Sequence, residues 1–166
     1  MAVFFFIAER DIIWYNISKY NIIPGGYIMK KVKDFIVKYI DRPEGAPKLN
    51  CAQITFLAAN DAWELGKEGN EDMLKGFGGG MIVGITCGAV TGGIAALGYK
   101  YQGAMLREKV KLYINTVREK CGSENCIPLK EKYRTEEEGC KPTMLVIAEI
   151  LDEIDATEIV IEEEQK

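Results

Sequence analysis

Between Lys75 and Lys100 the chain carries no charge for 24 residues, and glycine recurs there at every fourth position: Gly76, Gly80, Gly84, Gly88 and Gly92. In a helix interior each glycine costs about 1 kcal/mol relative to alanine. A spacing of four sets such residues on one helical face. The offset must come from very close approach of another backbone or of a cofactor. The pattern predicts a glycine-rich helix from about Gly80 to Leu97. At about 100° per residue, Cys87 then shares a face with Gly80, Gly84 and Thr91, and Thr91 is placed to hydrogen-bond to a thiolate or an inorganic sulfide. The remaining cysteines, Cys51, Cys121, Cys126 and Cys140, lie on both sides of this stretch.

What the chain lacks narrows the chemistry. It contains no histidine. Ser-His-Asp and Cys-His catalysis are excluded, as are Cys/His zinc sites and histidine-ligated haem. Acid–base work at neutral pH would fall to carboxylates, Lys, Tyr or Cys, and any metal would need thiolate or oxygen ligands. At 166 residues, with 48% hydrophobic and 28% charged residues, one globular domain is expected, able to bury a core without disulfide or metal support. A net charge of −4 and the absence of a basic stripe argue against nucleic acid as a partner. Five cysteines are an odd number, and no signal-peptide pattern precedes them, so a secreted disulfide scaffold is disfavoured and a cytoplasmic location is expected.

The uncharged stretch is long enough for a membrane span and carries GxxxG spacing. Its glycine content, the lack of aromatic or basic belts and a mean hydropathy of −0.07 rank that reading below a buried helix, so no stable membrane insertion is expected. The run Gly76-Phe77-Gly78-Gly79-Gly80 is no GxGxxG fingerprint and has no strand before it, which speaks against a nucleotide site.

Residues 1–28 differ from the rest. The apolar run Val3-Phe4-Phe5-Phe6-Ile7-Ala8 is too short to span a membrane, Pro24-Gly25-Gly26 breaks the chain, and Met29-Lys30-Lys31 follows. We read 1–28 as a spurious or non-domain N-terminal extension and 29–166 as a single helical domain; the alternative is an added element packed on that domain.

Helical spacing of apolar residues predicts helices over Lys30–Asp41, Cys51–Leu65 (capped by Asn50) and Met105–Lys120, the last closed by Gly122. A short turn is expected over Glu71–Lys75, a short helix after Pro128, and a last long helix from Cys140-Lys141-Pro142 to about Asp155. Thr157–Ile161 reads as a frayed extension or a short strand. With no repeat and no βαβ alternation, the fold class is all-α: a compact bundle of about five to six helices around a central glycine-rich helix.

Cys51 and Cys140 fall at helix starts, and Cys126, just ahead of Pro128, does so more weakly. Unpaired N–H groups and the helix dipole stabilise a thiolate there. Cys121 ends a helix, where the dipole disfavours it. Any one of these cysteines alone is as well explained as a small packing residue. The spacings of 36, 39 and 14 residues between Cys51, Cys87, Cys126 and Cys140 match no zinc-ribbon or ferredoxin run.

Asn50-Cys51-Ala52-Gln53, Gly76-Phe77-Gly78-Gly79-Gly80-Met81, Cys87-Gly88-Ala89-Val90-Thr91-Gly92 and two late cysteines together resemble the C-GCAxxG-C-C family over roughly residues 30–155. The resemblance implies redox activity and makes Cys51, Cys87, Cys126 and Cys140 the four characteristic cysteines, with Cys121 an extra. Members are associated with transporter genes. A similar helical core occurs in split-Soret cytochromes, whose CxxCH haem motifs this chain lacks. On this resemblance the four cysteines converge on one site, as redox thiols cycling between dithiol and disulfide or as ligands of an iron–sulfur cluster of the two-iron type. Gly80, Gly84, Gly88 and Thr91 would give such a cofactor room. The redox partner is not named by the sequence. The competing readings are a metal-binding or metal-trafficking protein, and a non-catalytic protein that docks a partner or a second copy through the glycine helix, with packing cysteines.

Overall fold

The structure, a computed structural model, describes residues 30–161; the extension proposed over 1–28 lies outside them. Six α-helices follow in order: α1 (Val32–Ile40), α2 (Cys51–Ala62), α3 (Gly88–Lys100), α4 (Gly103–Cys121), α5 (Cys126–Tyr133) and α6 (Lys141–Ala156). A 3-10 segment over Asn70–Phe77 and a tight turn over Gly80–Gly84 lie between α2 and α3. Among the described residues β-pairing is limited to two isolated bridges, Thr86 with Asn125 and Thr135 with Gly139. The fold is all-α.

The centre of the bundle is α2, in which ten of twelve residues are buried. A helix buried on nearly every side must be wrapped on nearly every side, and α1, α3 and α6 surround it. Its start is fixed by a capping box. The Asn50 side chain accepts from the Ala52 and Gln53 N–H groups at 2.9 and 3.0 Å, and Gln53 Oε1 accepts from the Asn50 N–H at 3.1 Å. The Asn50 amide also donates to the Leu74 and Lys75 carbonyls, at 3.1 and 2.9 Å, pinning the 3-10 segment to the same point.

The glycine stretch divides into two parts. From Gly88 onward it is helical and packs against α2. A Cβ on Gly92 would overlap the Ala52 carbonyl oxygen, and one on Gly88 would overlap Cys51 Sγ. Backbone-to-backbone contact within the chain is therefore what offsets the glycine cost, and α2 covers the face that Gly88 and Gly92 present. Before Gly88 the expected helix does not form. Gly79, Gly80, Met81, Ile82 and Gly84 all have positive φ, which a right-handed helix cannot contain. Gly80 is held there by crowding: a Cβ would meet the Ile85 carbonyl at 2.5 Å and Cys126 Cβ at 2.6 Å. Cys87 is consequently the N-cap of α3 and not a mid-helix residue sharing a face with Gly80 and Gly84.

The other elements differ from expectation mainly at their ends. α2 stops at Ala62, with Glu64 and Gly66 at positive φ. Gly122 closes α4 at φ 85°, its N–H donating to the Arg118 carbonyl at 2.8 Å. Residues 157–161 are neither helix nor strand. Buried Lys109 of α4 donates to the Ile154 and Thr157 carbonyls, both at 2.6 Å, and so satisfies the end of α6. No helix among the described residues is long and apolar enough to cross a membrane.

Asp152 on α6 supplies the missing cap of α1, accepting from the Val32 N–H at 2.8 Å. Burial outweighs that hydrogen bond and raises its pKa from an ordinary 3.8 to about 6. The folded chain then holds this proton more tightly than the unfolded chain. Its stabilising contribution is complete below about pH 4 and is lost as pH rises through about 6.

Two stability measurements follow, both by urea denaturation. Gly92→Ala should lose about 3 kcal/mol or more by overpacking, whereas Gly98→Ala, in the same helix with nothing within 4 Å of the added Cβ, should gain about 0.5–1 kcal/mol. The stability of wild type relative to Asp152→Asn should rise as pH falls from 7 to 4; a constant difference would show that Asp152 does not titrate as described.

Candidate functional site

Four helices begin at one place, and each begins with a cysteine. Cys51 is the first residue of α2, Cys87 the N-cap of α3, Cys126 the first residue of α5 and Cys140 the N-cap of α6. All four line a single cavity of about 250 Å³, walled mainly by Leu49, Ile54, Ala89, Leu129 and Met144. Cys87 and Cys126 are buried; Cys51 and Cys140 are half-buried. Unpaired N–H groups and the positive end of each helix dipole favour negative charge on sulfur at such positions.

Two devices bring the cysteines together. The first is the Asn50 capping box, which sets Cys51 beside the glycine loop. The second is the short bridge between residues 85–87 and 124–126. The Cys87 N–H donates to the Glu124 carbonyl at 2.9 Å, and the Cys126 N–H donates to the Ile85 carbonyl at 2.8 Å. Arg118 grips the Glu124 carboxylate through two hydrogen bonds, at 2.9 and 2.5 Å, and ties the bridge to the end of α4. The bridge thereby holds Cys87 and Cys126 at diagonal positions of one short antiparallel pairing, although 39 residues separate them in sequence.

Cys51 and Cys87 lie close enough for each to shift the other's ionisation. The Cys87 thiol donates to the Cys51 sulfur, and the N–H groups of Gly79, Cys51 and Ala52 also face that sulfur. Together they outweigh burial and bring the Cys51 pKa down from an ordinary 9.0 to about 6. Cys87 moves the opposite way, because it keeps the proton it donates and is itself buried. Burial also raises Cys126, against the opposing influence of the Lys130 ammonium. Gly88 makes the pair possible, since its Cα occupies the space beside Cys51 Sγ where a side chain would displace the sulfur.

The structure treats the other expected residues differently. Thr91 donates its hydroxyl to the Gly88 carbonyl at 3.0 Å and does not line the cavity. Gly80 and Gly84 pack against Cys126 and Ile127, behind the cavity wall. Cys121 is buried as the last residue of α4, and Lys132 donates to its carbonyl at 3.2 Å; it does not line the cavity. Among the described residues no three Cys, Asp or Glu side chains are grouped so as to hold one metal ion.

Sequence reasoning missed Gly79, Lys130 and Thr143, which also line the cavity. Lys130 stands four residues after Cys126 and Thr143 three after Cys140. That spacing places each on the face of its cysteine, so the signal was available once those helices were granted.

The Cys51 assignment is measurable. Its alkylation rate should follow an ionisation near pH 6. Cys87→Ala, which removes the donor, and Gly88→Ala, which displaces the sulfur, should both move that midpoint upward toward 9. A wild-type midpoint already at 8–9 would contradict the paired geometry.

No curated protein and no solved structure matches the chain. A family model described as "Putative redox-active protein (C_GCAxxG_C_C)" matches residues 49–154, a span that begins just before Cys51 and includes all four cavity cysteines. The chain belongs to the C_GCAxxG_C_C family of redox-active proteins.

Proposed function

We propose that this protein is a thiol–disulfide redox protein in which Cys51 is the attacking thiolate and Cys87 the resolving thiol. The observation that carries this reading is the meeting of Cys51 and Cys87, at the starts of α2 and α3, in one cavity; the contact between them favours the thiolate on Cys51 and the proton on Cys87. A nucleophile and a resolving group in contact are what reversible two-electron exchange requires.

The steps balance without a further reagent. The Cys51 thiolate attacks one sulfur of a substrate disulfide, and the other sulfur leaves as a thiolate. Cys87 gives its proton to that leaving thiolate and then attacks Cys51 Sγ in the mixed disulfide. The second substrate sulfur departs as a thiolate. Two electrons have passed to the substrate, and the chain holds a Cys51–Cys87 disulfide. The N–H groups around Cys51 hold the thiolate before attack.

A second reading is favoured by one observation, the presence of all four cysteines around the same cavity. Four thiols without histidine form a donor set that fits a two-iron cluster. Cys51, Cys87, Cys126 and Cys140 would hold it, and it would supply one-electron transfer. The chain's own contribution would be the helix N-termini facing the sulfurs, which offset the negative charge of thiolate ligands.

Protein purified without oxygen separates the readings. The dithiol reading expects colourless protein in which mild oxidation joins Cys51 to Cys87, seen by peptide mapping, while Cys121 stays alkylatable. Brown protein with about two irons and two sulfides per chain would establish the cluster instead. A thiol potential unaltered in both Cys51→Ser and Cys87→Ser would overturn the assignment of this pair.

A further inference from the structure

We propose that the tight turn before α3 and the start of α5 form one contact surface, and that its partner is a second copy of this chain, met through a two-fold axis. The contact is independent of which redox chemistry the cavity performs.

The first observation is where the exposed apolar side chains lie. Eight large ones are exposed among the described residues, and four of them gather here: Ile82 at 80%, Val83 at 71%, Ile85 at 50% and Ile127 at 54%. Contacts join the two segments that carry them. Ile127 packs against Gly84, where an added Cβ would meet its Cδ1 at 2.8 Å, and the Cys126 N–H donates to the Ile85 carbonyl. Apolar side chains scattered singly over a surface are ordinary, whereas a contiguous patch marks a contact.

The backbone is the second observation. Met81 and Ile82 take φ of 54° and 70°. A β-branched residue rarely adopts such a conformation. Ile82 gains no burial in return, because most of its side chain faces solvent. Strain of this kind persists where it serves a function, and here it holds an aliphatic side chain outward in an apolar patch.

Size and charge select the occupant. The four side chains present roughly 450 Å² of surface, within the range of patches that serve as contacts. A stable protein interface buries about 800 Å² a side, of which about 60% is apolar. The patch therefore supplies the apolar core of one such interface. In a two-fold contact the same surface is used by both copies, so a surface carrying net charge repels itself. Three of the four side chains come from Gly76–Tyr99, which carries no charge, whereas the whole chain has a net charge of −4. This uncharged face is the one suited to meeting its own equivalent.

Sedimentation velocity of the reduced full-length chain tests the proposal. Wild type should pass from monomer to dimer between about 1 and 100 μM. Ile82→Asp should weaken association about a hundredfold. Ile82→Gly removes the side chain and relieves the strained φ. It should also weaken association, while its urea midpoint, measured where the chain is monomeric, stays level or rises; that midpoint excludes misfolding as the cause. Val160→Asp, beyond the end of α6 and exposed, should change nothing. Ile82→benzoylphenylalanine should crosslink on illumination to residues 80–85 or to the start of α5 in the second copy. A wild-type chain still monomeric at the highest concentration would overturn the proposal, as would a dimer unaffected by both Ile82 substitutions. A crosslink into residues 1–29 of the same molecule would assign the patch to that segment instead. Monomeric chain that sediments with phosphatidylcholine vesicles, and fails to do so as Ile82→Asp, would assign it to a lipid surface; either result overturns the second copy as occupant.

Discussion

The contact between the start of α2 and the start of α3 is the constraint on which the rest depends. Gly92 lies against the Ala52 carbonyl and Gly88 against Cys51 Sγ, at separations that no residue with a Cβ permits. Two helices that approach this closely bring their N-termini together, and with them Cys51 and Cys87. The Cys51 sulfur is then faced by the N–H groups of its own first turn and of Gly79. Packing and electrostatics are therefore one feature here: the glycines that cost helix propensity are those that let the thiolate be solvated by backbone.

Around that contact the remaining helices complete a common design. α5 and α6 also begin at the cavity, each with its own cysteine. Helix N-termini are intrinsic sites of positive potential, and four of them directed at one apolar cavity compensate charge on sulfur without many ionic side chains. Among the described residues Lys130 is the single charged one lining it. An arrangement of this kind lets one thiol ionise while its neighbours stay protonated, because which sulfur carries the charge is decided by local hydrogen bonds.

Much of this was legible in the sequence, for identifiable reasons. Apolar residues at helical spacing marked α1, α2, α4 and α6. Asn50 announced the start of α2, and the missing histidine removed histidine-based catalysis and histidine ligation. The break before α3 was hidden because the glycine spacing of four continues through it: the period is compatible with a helix, but Gly79, Gly80, Met81 and Ile82 take positive φ, and the crowding of Gly80 by Ile85 and Cys126 is made within the loop itself or with a residue distant in sequence. The bridge of Thr86 with Asn125 was also invisible, since two residues exchanging backbone contacts leave no side-chain signature. For that reason family resemblance could suggest that Cys87 and Cys126 belong to one site, whereas their spacing of 39 residues carries no such information.

The central claim is that Cys51 and Cys87 are in contact within one cavity. Titration of the reduced chain with phenylarsine oxide, a small apolar reagent that bridges two adjacent thiols, tests it most directly. The geometry predicts tight uptake of one equivalent per chain, abolished in Cys51→Ser and in Cys87→Ser and unchanged in Cys121→Ser. Uptake that persists undiminished in both of the first two variants would contradict it.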